Sequence, residues 1–142
     1  MSWLVYEGAQ VFVPLGHSPD VDLVADFGDS LARVQVKTST VLRADRWEVT
    51  LATRGGNQSW NGISKLFCAS RCDFLFVHVG DGRRWFIPAA SVDGGSGILL
   101  GGPKYEAYEV GADLPLKVLA ARRVARLPGP RRGSGAVKRA RL

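Results

Sequence analysis

The sequence predicts one α+β domain, and three observations carry that expectation. Several runs alternate between apolar and polar residues with period two, as half-buried strands do. Glycine-bearing turns join two pairs of runs at hairpin spacing. Stretches suited to helix are few and short. The 142 residues are 46% hydrophobic and 23% charged, the balance of a globular protein and the length of a single domain of ordinary size.

Met1 to Gly8 has room for about two helical turns. Val11-Phe12-Val13 is a short β-prone run ended by Pro14. In Val21 to Phe27, Leu23, Ala25 and Phe27 share one face and Asp22, Val24 and Asp26 the other. In Leu31 to Thr38, Val34 and Val36 oppose Arg33, Gln35 and Lys37. Phe27-Gly28-Asp29-Ser30 joins these two runs as a hairpin, with Gly28 suited to positive φ at the first central position. Trp47 to Ala52 is a third alternating run, and residues 54 to 62 have loop composition. Gly62 to Ser70 is expected to form a short helix. Asp73 to Val79 is the most apolar strand and is expected at the sheet centre, turning at Asp81-Gly82 into Arg84 to Ile87. Pro88-Ala89-Ala90 suits a helix start, and residues 93 to 103 read as loop around an Ile98-Leu99-Leu100 strand. Leu114 to Leu127 has an amphipathic helical pattern, and Pro128 to Leu142 reads as disordered.

Charge is unevenly placed. From Lys117 onward there are nine basic residues and no acidic one, which leaves ten basic against thirteen acidic side chains before it. A slightly acidic body, residues 1–113, therefore precedes a basic tail, residues 114–142, and attraction to phosphate is concentrated in that tail. No apolar run approaches the roughly 20 residues that span a bilayer, and the start lacks a basic, then apolar, leader. A soluble cytoplasmic protein is expected, with no membrane partner. Cys68 and Cys72 form one C-x3-C pair without a second pair, and they read as reduced, partly buried thiols and not as a zinc site. His78 reads as a core histidine, and His17 as an incidental loop residue or a substrate contact.

The first hairpin carries the chemistry. If Gly28 and Asp29 form its two-residue loop, Asp22 sits opposite Gln35 and Asp20 opposite Lys37. Directly opposed residues share a face with Cβ atoms about 5 Å apart. A carboxylate and a second oxygen can hold Mg²⁺, and a lysine beside them can orient a water or offset charge developing on a phosphoryl group. Cross-strand pairs on an ordinary solvated sheet face show the same spacing, so spacing alone leaves both readings open.

Val13-Pro14-Leu15-Gly16, Asp22-Leu23-Val24 and Arg33-Val34-Gln35-Val36-Lys37-Thr38 together resemble the PD-(D/E)xK nuclease superfamily. More narrowly they resemble its group I intron-associated endonuclease branch, related in fold to Holliday junction resolvases. Asp73-Phe74-Leu75-Phe76-Val77 and Trp85-Phe86-Ile87-Pro88-Ala89 are similar to the later strands of that branch, so the resemblance covers about residues 5 to 110. It implies a mixed central β-sheet holding the motif hairpin, flanked by short helices, with the N-terminal helix shortened. It also implies Asp22 and Gln35 as metal-binding and catalytic positions, Lys37 as the catalytic lysine, and a backbone carbonyl of Val36 on the metal. Asp20 is an alternative to Asp22. The family's helix glutamate has only Glu7 to stand for it here, near where that helix would end, and Gln35 replaces a carboxylate.

The resemblance thus implies a Mg²⁺- or Mn²⁺-dependent DNA endonuclease of homing-endonuclease or resolvase type. The alternative is a decayed or truncated nuclease that binds DNA without cutting it. Arg54, Asn57, Gln58 and Lys65, with Arg122 and Arg123 of the tail, are candidate DNA contacts; an ordinary polar surface explains them equally well. Binding DNA would associate the protein with the nucleoid. A homodimer fits an enzyme that cuts both strands with one site per chain.

Overall fold

The computed structural model describes residues 1–16, 20–54 and 64–111. The tail, His17, and the residues 55–63 that include Asn57 and Gln58 lie outside the described residues. The chain opens with helix α1 (Ser2–Tyr6), then β1 (Gln10–Phe12), β2 (Leu23–Asp26), β3 (Leu31–Ser39), β4 (Leu42–Arg43) and β5 (Arg46–Thr50). It continues with β6 (Thr53–Arg54), β7 (Ser64–Lys65), β8 (Phe74–Val79), β9 (Arg84–Pro88) and β10 (Gly97–Leu100). Single 3₁₀ turns occupy Ala89–Ser91 and Glu106–Tyr108.

Five strands form the main sheet in the order β1-β2-β3-β8-β9. It is mixed: β3 and β8 run parallel, while the other neighbours are antiparallel. A parallel pair needs a long crossover. Here the chain between β3 and β8 uses it to build most of a second sheet, of order β10-β5-β4, and the β6–β7 ribbon. The α+β expectation is met; the Asp73–Val79 run is an interior strand, but it lies between β3 and the edge strand β9, and β3 takes the centre of the sheet.

Strand alternation sends side chains to two cores. Leu75, Val77 and Val79 of β8 and Trp85 and Ile87 of β9 meet Trp47, Val49, Leu51, Ile98 and Leu100 from the second sheet. On the other face Leu23, Ala25, Ala32, Val34, Phe76 and Phe86 pack with Trp3 and Leu4 of α1. Trp3 stacks on Phe76 with ring centroids 5.6 Å apart, and Phe74 stacks on Phe86 at 4.4 Å.

Three expectations are corrected. Gly62–Ser70 is not helical in its described part: Ser64–Lys65 is β7, and Phe67 pairs through its N–H with Gly95 and through its carbonyl with Gly94. Those two long-range hydrogen bonds hold the backbone extended and override local propensity. The Pro88-Ala89-Ala90 start yields only one 3₁₀ turn, closed when the Val92 N–H bonds the Ala89 carbonyl. His78 is exposed, not in a core. It pairs with Thr38 and Arg84 on the α1 face, and a helix of five residues, about 7.5 Å long, does not reach that end of the sheet.

Candidate active site

The hairpin register is the one that the turn implies. Leu23 pairs with Val34, Val24 with Arg33, Ala25 with Ala32 and Asp26 with Leu31. Gly28 has φ +90°, and the Phe27 N–H bonds the Ser30 carbonyl at 3.0 Å, which closes the tight turn. Asp26 Oδ1 accepts from the Gly28 N–H at 2.8 Å and braces the turn from within.

Just beyond the last pair the ladder changes character. The Asp22 N–H bonds the Val34 carbonyl at 3.0 Å, and Asp22 Oδ2 accepts from the Val36 N–H at 2.7 Å. A side chain thereby takes the place of a strand partner. Along a strand the N–H and C=O of one residue point to the same side. The Val36 carbonyl therefore emerges on the side where β2 has ended and where the Asp22 carboxylate sits.

Gln35 and Lys37 lie on one face of β3, in register with Leu75 and Val77 of β8. Gln35 is 6% exposed and is the sole buried polar side chain among the described residues. Lys37 is half-buried and has no carboxylate partner among the described residues.

Asp20 is placed differently from the expectation that it faces Lys37. The sheet pairing stops at Leu23, and Asp20 accepts from Lys65 Nζ at 2.9 and 3.1 Å and from Arg71 Nη1 at 3.3 and 3.5 Å. Lys65, on the β6–β7 ribbon, thus neutralises an acid next to the motif instead of standing free. Arg54 belongs to β6 and pairs with Ser64. Glu7 follows α1 and leads into β1, whose Gln10 pairs with Asp26 near the hairpin turn. Glu7 therefore enters at the turn end of the hairpin, while Asp22 lies at the other end of β2.

The motif strand is fastened at its start by a charged pair. The Asp73 carboxylate accepts from the Arg33 N–H at 2.8 Å and from the guanidinium at 3.2 and 3.3 Å. Hydrogen bonding to the Asp73 carboxylate is the main reason that the Arg33 guanidinium is held above its ordinary range. The neighbouring Cys72 thiol is pushed up to about 11, first by burial and then by the Asp73 charge.

The donor set suits a hard divalent cation. The second oxygen of Asp22, the Val36 carbonyl and the Gln35 carboxamide are all oxygen donors, and Mg²⁺ takes few protein oxygens while keeping several waters. Only one of the three is charged. Among the described residues no cluster of three His, Cys, Asp or Glu side chains could hold a metal.

The five-stranded mixed sheet carries the hairpin that holds Asp22, Gln35 and Lys37, and comparison with known proteins identifies the family. Residues 1–94 match the family model of the PD-(D/E)XK endonuclease, and the chain belongs to that family. Among solved structures it is similar to a bacterial homing endonuclease, I-Ssp6803I, at 21% identity and a TM-score of 0.66, over 88% of each chain. It is also similar to MepB at 12% identity and a TM-score of 0.49, over 80% of this chain and 94% of that one. No curated protein matches the chain. No helix among the described residues is long and apolar enough to cross a membrane.

Sequence reasoning missed the basic hairpin at Arg43 and Arg46. Arg43-Ala44-Asp45-Arg46 contains no Gly, Pro or Asn to signal a turn. The link from Asp20 to Lys65 and Arg71 was equally invisible, since 45 and 51 residues separate the partners.

Proposed function

We propose that this chain is a DNA endonuclease that hydrolyses phosphodiester bonds with Mg²⁺ or Mn²⁺. The observation that carries this reading is the Asp22–Val36 hydrogen bond at 2.7 Å. In a member of this family it brings the Asp22 carboxylate to the Val36 main chain, between Gln35 and Lys37. Asp22, Gln35 and the Val36 carbonyl would hold the cation. When bound, it polarises the phosphoryl group and acidifies a water. The hydrogen bond from the Val36 N–H orients the Asp22 carboxylate. Lys37, an ammonium without a carboxylate partner among the described residues, orients the attacking water and offsets the negative charge that builds on the phosphoryl oxygens. Asp20 anchors the strand entry through Lys65 and Arg71. The basic tail and Arg54 track the DNA backbone, and two copies of the chain would cut the two strands.

The purified protein is expected to nick or cut DNA with Mg²⁺ and to stop when EDTA removes the ion. Lys37→Ala should lower the cleavage rate by about 10²–10³ with the fold intact. Cleavage that survives both Lys37→Ala and Asp22→Ala would remove the assignment. One observation favours a second reading, a DNA-binding module that does not cut: the cation set contains a single carboxylate, and Glu7 enters at the opposite end of the hairpin. That reading expects salt-sensitive DNA binding with no divalent-dependent cleavage of duplex, junction or single strand.

A further inference from the structure

We propose that a cleft on the outer face of the second sheet grips backbone phosphates of the same DNA, a contact site separate from the motif hairpin. This rests on the endonuclease reading. The cleft holds about 440 Å³ and is lined by Arg43, Arg46, Glu48, Ser96, Leu99 and Lys104 among others. Strand alternation creates it: in β5, Trp47 and Val49 point into the core, so Arg46 and Glu48 point out.

The turn between β4 and β5 concentrates the charge. Ala44 has φ +47° and Asp45 φ +60°, the two positive values of a type I′ turn. This turn sets Arg43 directly opposite Arg46. Like charges in that position destabilise a sheet, and a bound anion relieves the cost. Glu48 is the one acid lining the cleft, and Arg43 Nη1 already pairs with it at 3.4 Å. Arg46 and Lys104 have no carboxylate partner among the described residues. The Arg46 guanidinium lies over Gly102, 2.9 Å from where a Cβ would stand. The Lys104 ammonium sits 5.0 Å from the Tyr105 ring centroid, which holds it at the rim. Three cations and one paired carboxylate leave a net charge of about two positive units, which suits the oxygens of a phosphodiester chain.

The cleft is also joined to the motif strand. Ser39 Oγ donates to the Glu48 main-chain carbonyl, and Ser39 lies two residues beyond Lys37 on the same face of β3. One DNA molecule held by the cleft is thereby indexed to the strand that carries the lysine.

The test measures binding of a labelled duplex of about 20 base pairs to the full chain in EDTA, between about 50 and 200 mM salt. Each lost phosphate contact lowers the slope of log affinity against log salt by about one. Arg46→Ala/Lys104→Ala should therefore reduce it by about two. Glu48→Gln, which removes the acid of the cleft, should tighten binding. Unchanged slope and affinity in both variants, with circular dichroism like wild type, would overturn the proposal. So would inorganic phosphate that binds the cleft tightly while the DNA slope stays as in wild type, because the site would then serve free phosphate. Catalysis is read separately, in Mg²⁺-dependent cleavage and its loss in Lys37→Ala. Cleavage with an unaltered slope rejects the cleft alone, the expected slope change without cleavage rejects only catalysis, and neither binding nor cleavage rejects both.

Discussion

Asp22 accepts from the Val36 N–H with one carboxylate oxygen, so a side chain takes the place of a strand partner where the β2–β3 ladder ends. The β2–β3 register was legible because side-chain parity along two strands and a two-residue turn suffice to set it. The partners of Asp20 were not legible, since proximity of Lys65 and Arg71 depends on the crossover between β3 and β8. The same scale gives a prediction for the thiols. Cys72 is buried and its pKa is raised to about 11, whereas Cys68 is partly exposed. Because the raised pKa keeps Cys72 a neutral thiol below about 11, only the thiolate being nucleophilic, Cys68 should react with an aromatic disulfide reagent at pH 8 while Cys72 stays protected. Counting reacted thiols before and after denaturation should give one and then two.

The β4–β5 hairpin shows how an element can follow from tertiary demand against local preference. Ala44 and Asp45 both occupy the left-handed region, which costs an L-residue roughly 1–2 kcal/mol. Asn-Gly is the pair this turn type favours. Ala44→Asn/Asp45→Gly is therefore expected to stabilise the fold by about 1 kcal/mol, read as a higher urea midpoint with an unchanged m value. A loss of stability would mean that the turn carries a contact beyond its backbone geometry. The helix expected over Gly62–Ser70 failed for a related reason, because Phe67 finds its hydrogen bonds in Gly94 and Gly95, far along the chain.

Across the whole molecule, α1 covers one face of the main sheet and the second sheet covers the other. Trp3 is 6% exposed and contacts Phe76 and Phe86 with ring centroids 5.6 Å away in each case. Truncating a buried aromatic of this size costs about 3–5 kcal/mol, so Trp3→Ala should lower stability by that amount in urea unfolding. Trp3→Phe should cost far less, because the indole N–H is buried without a hydrogen-bond partner and no bond is lost. A small effect of Trp3→Ala would show that α1 is dispensable to the sheet. By itself the sequence determined the strands of the main sheet, the hairpin register and the motif face, since these follow from period-two patterning, one glycine turn and the R-V-Q-V-K-T string. Only the tertiary structure decided the clamp on Asp20, the exposure of His78 and the gathering of Arg46 with Lys104 in one cleft. Those depend on which distant segments crossover and packing bring within a few ångströms, and local patterning does not encode that.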